Sequence, residues 1–170
     1  MSVNAASRNE AAWAVLETVL DPEVPVLSVR DLGIVRDVIE REDGLEVVLT
    51  PTYSGCPATE VIERNVVDAL EAAGLGPVRT RTQLAPAWTT DWISEDGRRK
   101  LREYGIASPS AGVVGASPSV AIRIVPRTPI ECPRCGSGDT ERLSAFGATA
   151  CKALYRCRAC REPFEQFKPI

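Results

Sequence analysis

Six cysteines and no histidine set the chemistry open to this chain of 170 residues. Four of the cysteines form two Cys-x-x-Cys pairs, Cys132/Cys135 and Cys157/Cys160, separated by 21 residues. A two-residue spacer lets both sulfurs of a tight turn face one ion, and two such turns complete a tetrahedron. The pairs predict a closed, all-thiolate structural site, with Zn²⁺ favoured over rubredoxin-like iron. Gly136 can take the positive φ a tight knuckle needs. Arg161 stands at the matching position of the second pair, which makes that knuckle less ideal. Cys151 is left over, with three readings: a small buried residue, an alternative ligand, or a redox partner.

Cys56 lies apart, in Thr50-Pro-Thr-Tyr-Ser-Gly-Cys56-Pro57. With Pro57 as first helical residue, Cys56 occupies or adjoins the N-cap, where free N–H groups and the helix dipole favour a thiolate. Gly55 allows close backbone approach, and Thr50, Thr52, Tyr53 and Ser54 offer hydroxyls. A buried structural cysteine in a turn is the plainer reading. Absence of histidine removes Ser–His and Cys–His nucleophile pairs, so hydrolysis is disfavoured and thiol, metal or cluster chemistry fits better.

These residues need a scaffold. Trp13, Leu16 and Leu20 predict a helix over 10–20, with Ser7 and Glu10 at capping-box spacing and Asp21-Pro22 as its stop. Ile34–Arg41 and Leu45–Thr50 flank Glu42-Asp43-Gly44 as a hairpin. Ala58, Val61, Ile62, Val66, Leu70 and Ala73 make the apolar stripe of a second helix, stopped by Gly74 and Gly76. Val78–Leu84 is a third strand, and Ser94 or Asp96 starts a last helix through Tyr104. The expected fold is α+β: a small α/β sandwich (helix, two strands, helix, strand, helix) over 1–106, then a C-terminal zinc ribbon over 128–170. Residues 107–127 are expected to be a linker, and Val120–Val125 is a short strand candidate with two readings, the start of the ribbon or an edge added to the first sheet. Strand-like segments in the ribbon are Leu143–Phe146, Leu154–Arg156 and Pro163–Phe167.

Charge separates the two parts. Residues 1–125 carry 12 basic and 18 acidic side chains, and residues 126–170 carry 8 and 5. Four thiolates around Zn²⁺ would offset most of the ribbon's excess, so nucleic-acid binding ranks low. No apolar run reaches about 18 residues, so no membrane span is expected. The N-terminus lacks signal-peptide character, and a cytoplasmic protein is the expectation.

The stretch from Asp21-Pro-Glu through Asp31-Leu-Gly33, with Gly55-Cys56-Pro57, resembles the small iron–sulfur-assembly domain shared by SUF-type carriers and cytosolic iron–sulfur targeting factors. Adding Pro86-Ala-Trp88, Asp91-Trp92-Ile, Gly105-Ile and the ribbon's Phe146-Gly-Ala-Thr-Ala-Cys151, the chain is similar to accessory subunits of the phenylacetyl-CoA epoxidase of aerobic phenylacetate degradation. The resemblance implies a maturation role without catalysis of its own, serving a di-iron oxygenase fed by an iron–sulfur flavin reductase. It implies that Cys56 is the reactive or cluster-contacting thiol, that Asp21 lies near it and orients the loop, and that Thr52 shares the pocket. One cysteine cannot hold a cluster, so a transient iron–sulfur cluster would be bridged across a homodimer, or completed by a client ligand or another thiol. Trp88 and Trp92 have two readings, a client-facing surface or core packing. The alternative function is a non-catalytic adaptor of the oxygenase complex.

Overall fold

The computed structural model describes residues 7–53, 55–109 and 129–169. They form two compact units, residues 1–100 and 101–170. The expected strand at Val120–Val125, most of the 107–127 linker and Ser54 lie outside the described residues.

The first unit begins with α1 (Arg8–Leu16). The capping box forms as expected: Ser7 Oγ accepts from the Glu10 N–H, and the Glu10 carboxylate accepts from the Ser7 N–H at 2.8 Å. Such caps are worth about 1 kcal/mol. The helix ends well before Asp21. The Thr18 hydroxyl donates to the Val15 carbonyl at 2.7 Å, competing with the helical ladder. Beyond it the chain zips onto the next segment, with Val29 N–H to Val19 O at 2.9 Å and a bridge between Leu20 and Ser28.

Strands β1 (Val35–Arg41) and β2 (Gly44–Leu49) make the antiparallel hairpin, with Arg41 opposite Gly44 and Glu42-Asp43 as its two-residue loop. α2 (Thr59–Ala72) crosses over to β3 (Val78–Thr82), which pairs parallel with β2, giving the order β1-β2-β3. Register puts Leu45, Val47, Leu49 and Val38 on one sheet face, where period-two alternation makes an apolar surface. Ile62, Val66 and Leu70 of α2 and Ala12 and Leu16 of α1 are buried, completing this core. α2 stops at Gly74, whose φ of 76° lets the chain turn while the Leu75 N–H reaches the Leu70 carbonyl.

The opposite sheet face carries Glu46 of β2, hydrogen-bonded by Arg41, Arg79 and Arg81 at 3.0–3.1 Å. These guanidinium groups, Arg41 first, hold its carboxyl down at about 2.

A short 3₁₀ turn (Thr90–Trp92) leads to α3 (Glu95–Tyr104), and the unit boundary falls within α3. β4 (Ile106–Ala107) pairs with the last strand, so residues just after α3 belong to the ribbon sheet rather than to the first unit. The second unit has the order β4-β7-β6-β5, built from β5 (Thr140–Ser144), β6 (Lys152–Cys157) and β7 (Pro163–Phe167). β5 starts earlier than the sequence predicts because Thr140 already pairs with Cys157, leaving Phe146 in a loop. One buried cluster is Ala107, Cys132, Cys157 and Phe164, with Ile130 and Tyr155 packed against it, and Cys151, Ala153 and Phe167 are buried in the same unit.

Candidate functional site

Two sites come from the cysteines, one in each unit. In the second unit the four Sγ atoms of Cys132, Cys135, Cys157 and Cys160 all lie within 4.8 Å of one another. Cys132 and Cys160 are 3.7 Å apart, and Cys135 and Cys157 are 3.6 Å apart. A tetrahedral ion with metal–sulfur bonds of about 2.3 Å spaces its sulfurs by about 3.8 Å. The cluster therefore fits one tetrahedral metal ion.

The two knuckles repeat each other. The Cys132 N–H reaches the Ser137 carbonyl at 2.9 Å, and the Cys157 N–H reaches the Glu162 carbonyl at 3.0 Å. The Cys160 N–H points at the Cys157 sulfur, 3.4 Å away. Gly136 has φ 73°, and Arg161 adopts φ 67° at the equivalent place. The second knuckle thus imposes the same geometry on a residue that dislikes it. Gly136→Ala should destabilise the metal-loaded ribbon by about 1–2 kcal/mol, and Arg161→Gly should stabilise it by about 0.5–1 kcal/mol. Chelator-competition midpoints read both, and shifts of the same sign would refute the matched-knuckle account.

Without an ion the thiols are unevenly disposed to ionise. The Cys160 backbone N–H, with help from the neighbouring thiols, brings Cys157 down to about 7. The Glu162 backbone contact favours ionising Cys160, but burial and the other three cysteines override it and push Cys160 up to about 12. Cys135 is raised as well: burial and the Cys157 and Cys132 thiols outweigh the Ser137 backbone contact. One thiolate forms readily and opposes the next, so ionisation of all four requires a cation.

Cys151 stands outside this cluster. It is buried, its sulfur lies 3.0 Å from the Thr149 hydroxyl, and its carbonyl accepts from the Lys168 N–H. The small-buried-residue reading describes it.

In the first unit, Cys56 is half-buried and outside any disulfide. α2 begins at Thr59 with Ala58 at the N-cap, so Cys56 precedes the cap instead of occupying it. Pro57 belongs to a preceding turn, in which the Thr59 N–H reaches the Cys56 carbonyl at 3.2 Å. That turn, together with Cys56 N–H to Tyr53 O at 3.3 Å and Gly55 at φ 82°, sets the loop's path. Among the described residues nothing lies within 4 Å of where a Gly55 side chain would start. Thr52 is half-buried in the same loop. Thr50 anchors the loop through its N–H to the Ile34 carbonyl at 2.8 Å, and its buried hydroxyl lacks a hydrogen-bond partner among the described residues.

Asp21 is buried and organises its own loop. Its Oδ1 accepts from the Glu23 and Val24 N–H groups at 2.8 and 2.7 Å, and its N–H reaches the Leu27 carbonyl. Trp88 is not a client-facing residue: it is 2% exposed, and its indole N–H donates to the Leu32 carbonyl at 2.8 Å. Burial of the large ring with its one donor satisfied is the core-packing outcome. Trp92 is half-buried beneath the Arg36 guanidinium, 3.5 Å from the ring centroid.

Asp31, in the Asp31-Leu32-Gly33 stretch, has a structural role that its sequence neighbours do not reveal. Asp31 Oδ2 accepts from the Ser28 N–H and hydroxyl and from Lys100 Nζ at 2.8 Å. Its Oδ1 accepts from the Ser94 hydroxyl, and its carbonyl from the Ser94 N–H. Burial opposes its charge, but Lys100 and Ser28 hold the carboxyl below its ordinary range. The clue in the sequence was a buried-type Asp-x-Gly beside an apolar run; its partners lie too far along the chain to be read locally.

Comparison with known proteins adds to this geometry. Residues 9–80 match the family model "Iron-sulfur cluster assembly protein", and residues 117–168 match "PaaD zinc beta ribbon domain". The Escherichia coli (strain K12) "Putative 1,2-phenylacetyl-CoA epoxidase" subunit is 49% identical over 158 residues, 93% of this chain and 91% of that one. A Porphyromonas gingivalis "Fe-S protein maturation auxiliary factor" is 36% identical over 51% of this chain and 83% of its own. A Bacillus anthracis domain of unknown function shares the fold, with a TM-score of 0.52 and 26% identity over 56% of this chain and 92% of its own. No helix among the described residues is long and apolar enough to cross a membrane. An assembly-type α/β domain carrying a loop cysteine, joined to a four-cysteine ribbon and matched along nearly its whole length, places this chain in the PaaD family of phenylacetyl-CoA epoxidase subunits.

Proposed function

We propose that this protein is a non-catalytic accessory factor of a multicomponent phenylacetyl-CoA epoxidase, assisting assembly or insertion of an iron–sulfur or iron centre through Cys56. The observation that carries the reading is a half-buried, unpaired thiol in the loop entering α2 of an iron–sulfur-assembly domain. Relatives named as maturation factors and an epoxidase subunit support it. The cluster or iron is cargo, and Cys56 supplies one thiolate ligand to it. The remaining ligands come from a second copy or from the client, because one sulfur cannot saturate a cluster. Asp21 holds the neighbouring backbone of its own loop in place, and Thr52 belongs to the Cys56 loop. The ribbon ion is zinc, structural and closed to substrate. The site of action is cytoplasmic, with the epoxidase and its iron–sulfur flavin reductase as clients.

The test is anaerobic cluster reconstitution of wild type and Cys56→Ala, followed by transfer to the apo-reductase. Transfer should fall to the background rate with Cys56→Ala while the zinc content stays unchanged. Equal transfer by both proteins, with fully loaded reductase in cells carrying the variant, would sink the mechanism. The relative's name as a subunit favours a second reading, an adaptor. That reading predicts stable co-purification with the oxygenase and indifference to Cys56.

A further inference from the structure

The ribbon sheet has two unlike ends. The metal knuckles occupy the end where β5 starts and β6 finishes. The other end is closed by the loop 145–151, which carries Phe146, 64% exposed. Leu143, 50% exposed, sits where the β5–β6 register slips between Arg142 and Ser144.

This loop is held with unusual care for a surface feature. Lys152 is buried, and its Nζ pairs with Glu165 Oε2 at 2.9 Å. Glu165 Oε1 accepts from the Ala148 N–H at 2.6 Å, and the Gly147 N–H reaches the Lys152 carbonyl. A side chain at 147 would begin 2.4 Å from Glu165 Oε1, so the Glu165 carboxylate would have to shift from its contact with the Ala148 N–H. Buried ion pairs add little net stability and are better suited to selecting one conformation. Here the conformation selected is one that leaves a phenylalanine in water. Lys168 caps the ring, its Nζ 4.5 Å from the centroid, and donates to the Ala145 carbonyl. Neither Lys168 nor exposed Arg142 has a carboxylate partner among the described residues. The end therefore presents an apolar tip with one cation, Lys168, beside it.

We propose that Phe146 and Leu143 form a docking tip for another subunit of the epoxidase, one offering an apolar pocket rimmed by carboxylates. Charge complementarity to Lys168 selects that rim, and a rigid aromatic anchor selects the pocket. The proposal rests on the reading of this chain as an epoxidase accessory factor, but it does not involve Cys56.

The experiment measures binding of the full-length protein to the purified remaining epoxidase subunits, at ionic strengths from about 50 to 300 mM. Wild-type affinity should fall with salt. Phe146→Asp should weaken binding by about tenfold or more, Lys168→Glu should weaken it and flatten the salt dependence, and Phe146→Trp should retain it. Zinc content and thermal melting report folding, and Phe146→Ser replaces Phe146→Asp if the charge disturbs the ribbon. Folded Phe146 variants that bind within about twofold of wild type would overturn the tip while leaving the maturation role intact. Wild type that binds none of the subunits, yet still transfers cluster, would also overturn it. So would a wild-type dimer that Phe146→Asp converts to monomer, since the occupant would then be a second copy.

Discussion

Cys157→Ala should empty the metal site and unfold the ribbon while leaving the first unit folded. Zinc bound after mild chelation should drop from about one equivalent per chain to near zero. The size of the effect follows from how little else holds this unit together. The buried cluster beside the metal site is four residues, two of them the ligands Cys132 and Cys157, and the unit's other buried apolar side chains are few, Cys151, Ala153 and Phe167 among them. A core this small cannot offset the conformational entropy of ordering four strands. Structural zinc in comparable modules supplies roughly 10–16 kcal/mol of apparent binding free energy, which becomes folding free energy. Hydrogen exchange should show protection lost across β5, β6 and β7 and kept in β1 and β2. Cys151→Ala is the matched control: the residue is also buried but lies outside the cluster, so the metal should remain. Full metal retention by Cys157→Ala, or equal loss from Cys151→Ala, would show the ligand set to be wrong.

Gly33→Ala should strongly destabilise the first unit. Gly33 has φ 67°, which costs an alanine about 1–2 kcal/mol. The added Cβ would also lie 2.6 Å from the Trp92 carbonyl oxygen and 2.8 Å from its Cβ. Relief requires moving the segment that Asp31 clasps through Ser94 and Lys100. Overpacking of this kind adds about 1–3 kcal/mol, so the total is on the order of 2–5 kcal/mol. For a unit of this size the melting temperature should fall by at least about 10 °C. Trp fluorescence should shift to the red as Trp88 leaves the Leu32 carbonyl. Gly74→Ala separates the two causes, because Gly74 has φ 76° but no neighbour among the described residues within 4 Å of the new carbon. Equal losses at positions 33 and 74 would mean that the close approach to Trp92 carries no weight.

The features legible in the sequence share one property: their partners are near in the chain. Ser7 and Glu10, the Glu42-Asp43 turn, the α2 stripe and the two Cys-x-x-Cys pairs each encode their geometry within a few residues. Where tertiary contacts competed, local reading slipped. α1 stops early because Val19 pairs with Val29, and the start of α2 moves past Cys56 because Pro57 joins a preceding turn. Arg161 accepts a left-handed backbone because the metal knuckle requires one.

The cysteine spacing by itself determined the four-cysteine cluster, the helix and strand periodicities determined the α+β class, and the short motifs determined the family, since all of these are one-dimensional properties. Tertiary structure alone decided that Trp88 is core, that Asp31 clasps Lys100 from 69 positions away, and that Phe146 stands exposed on a loop locked by Lys152 and Glu165. Those outcomes depend on which distant backbone and charge arrive beside each side chain, and burial energies of that kind are set by packing rather than by sequence neighbours.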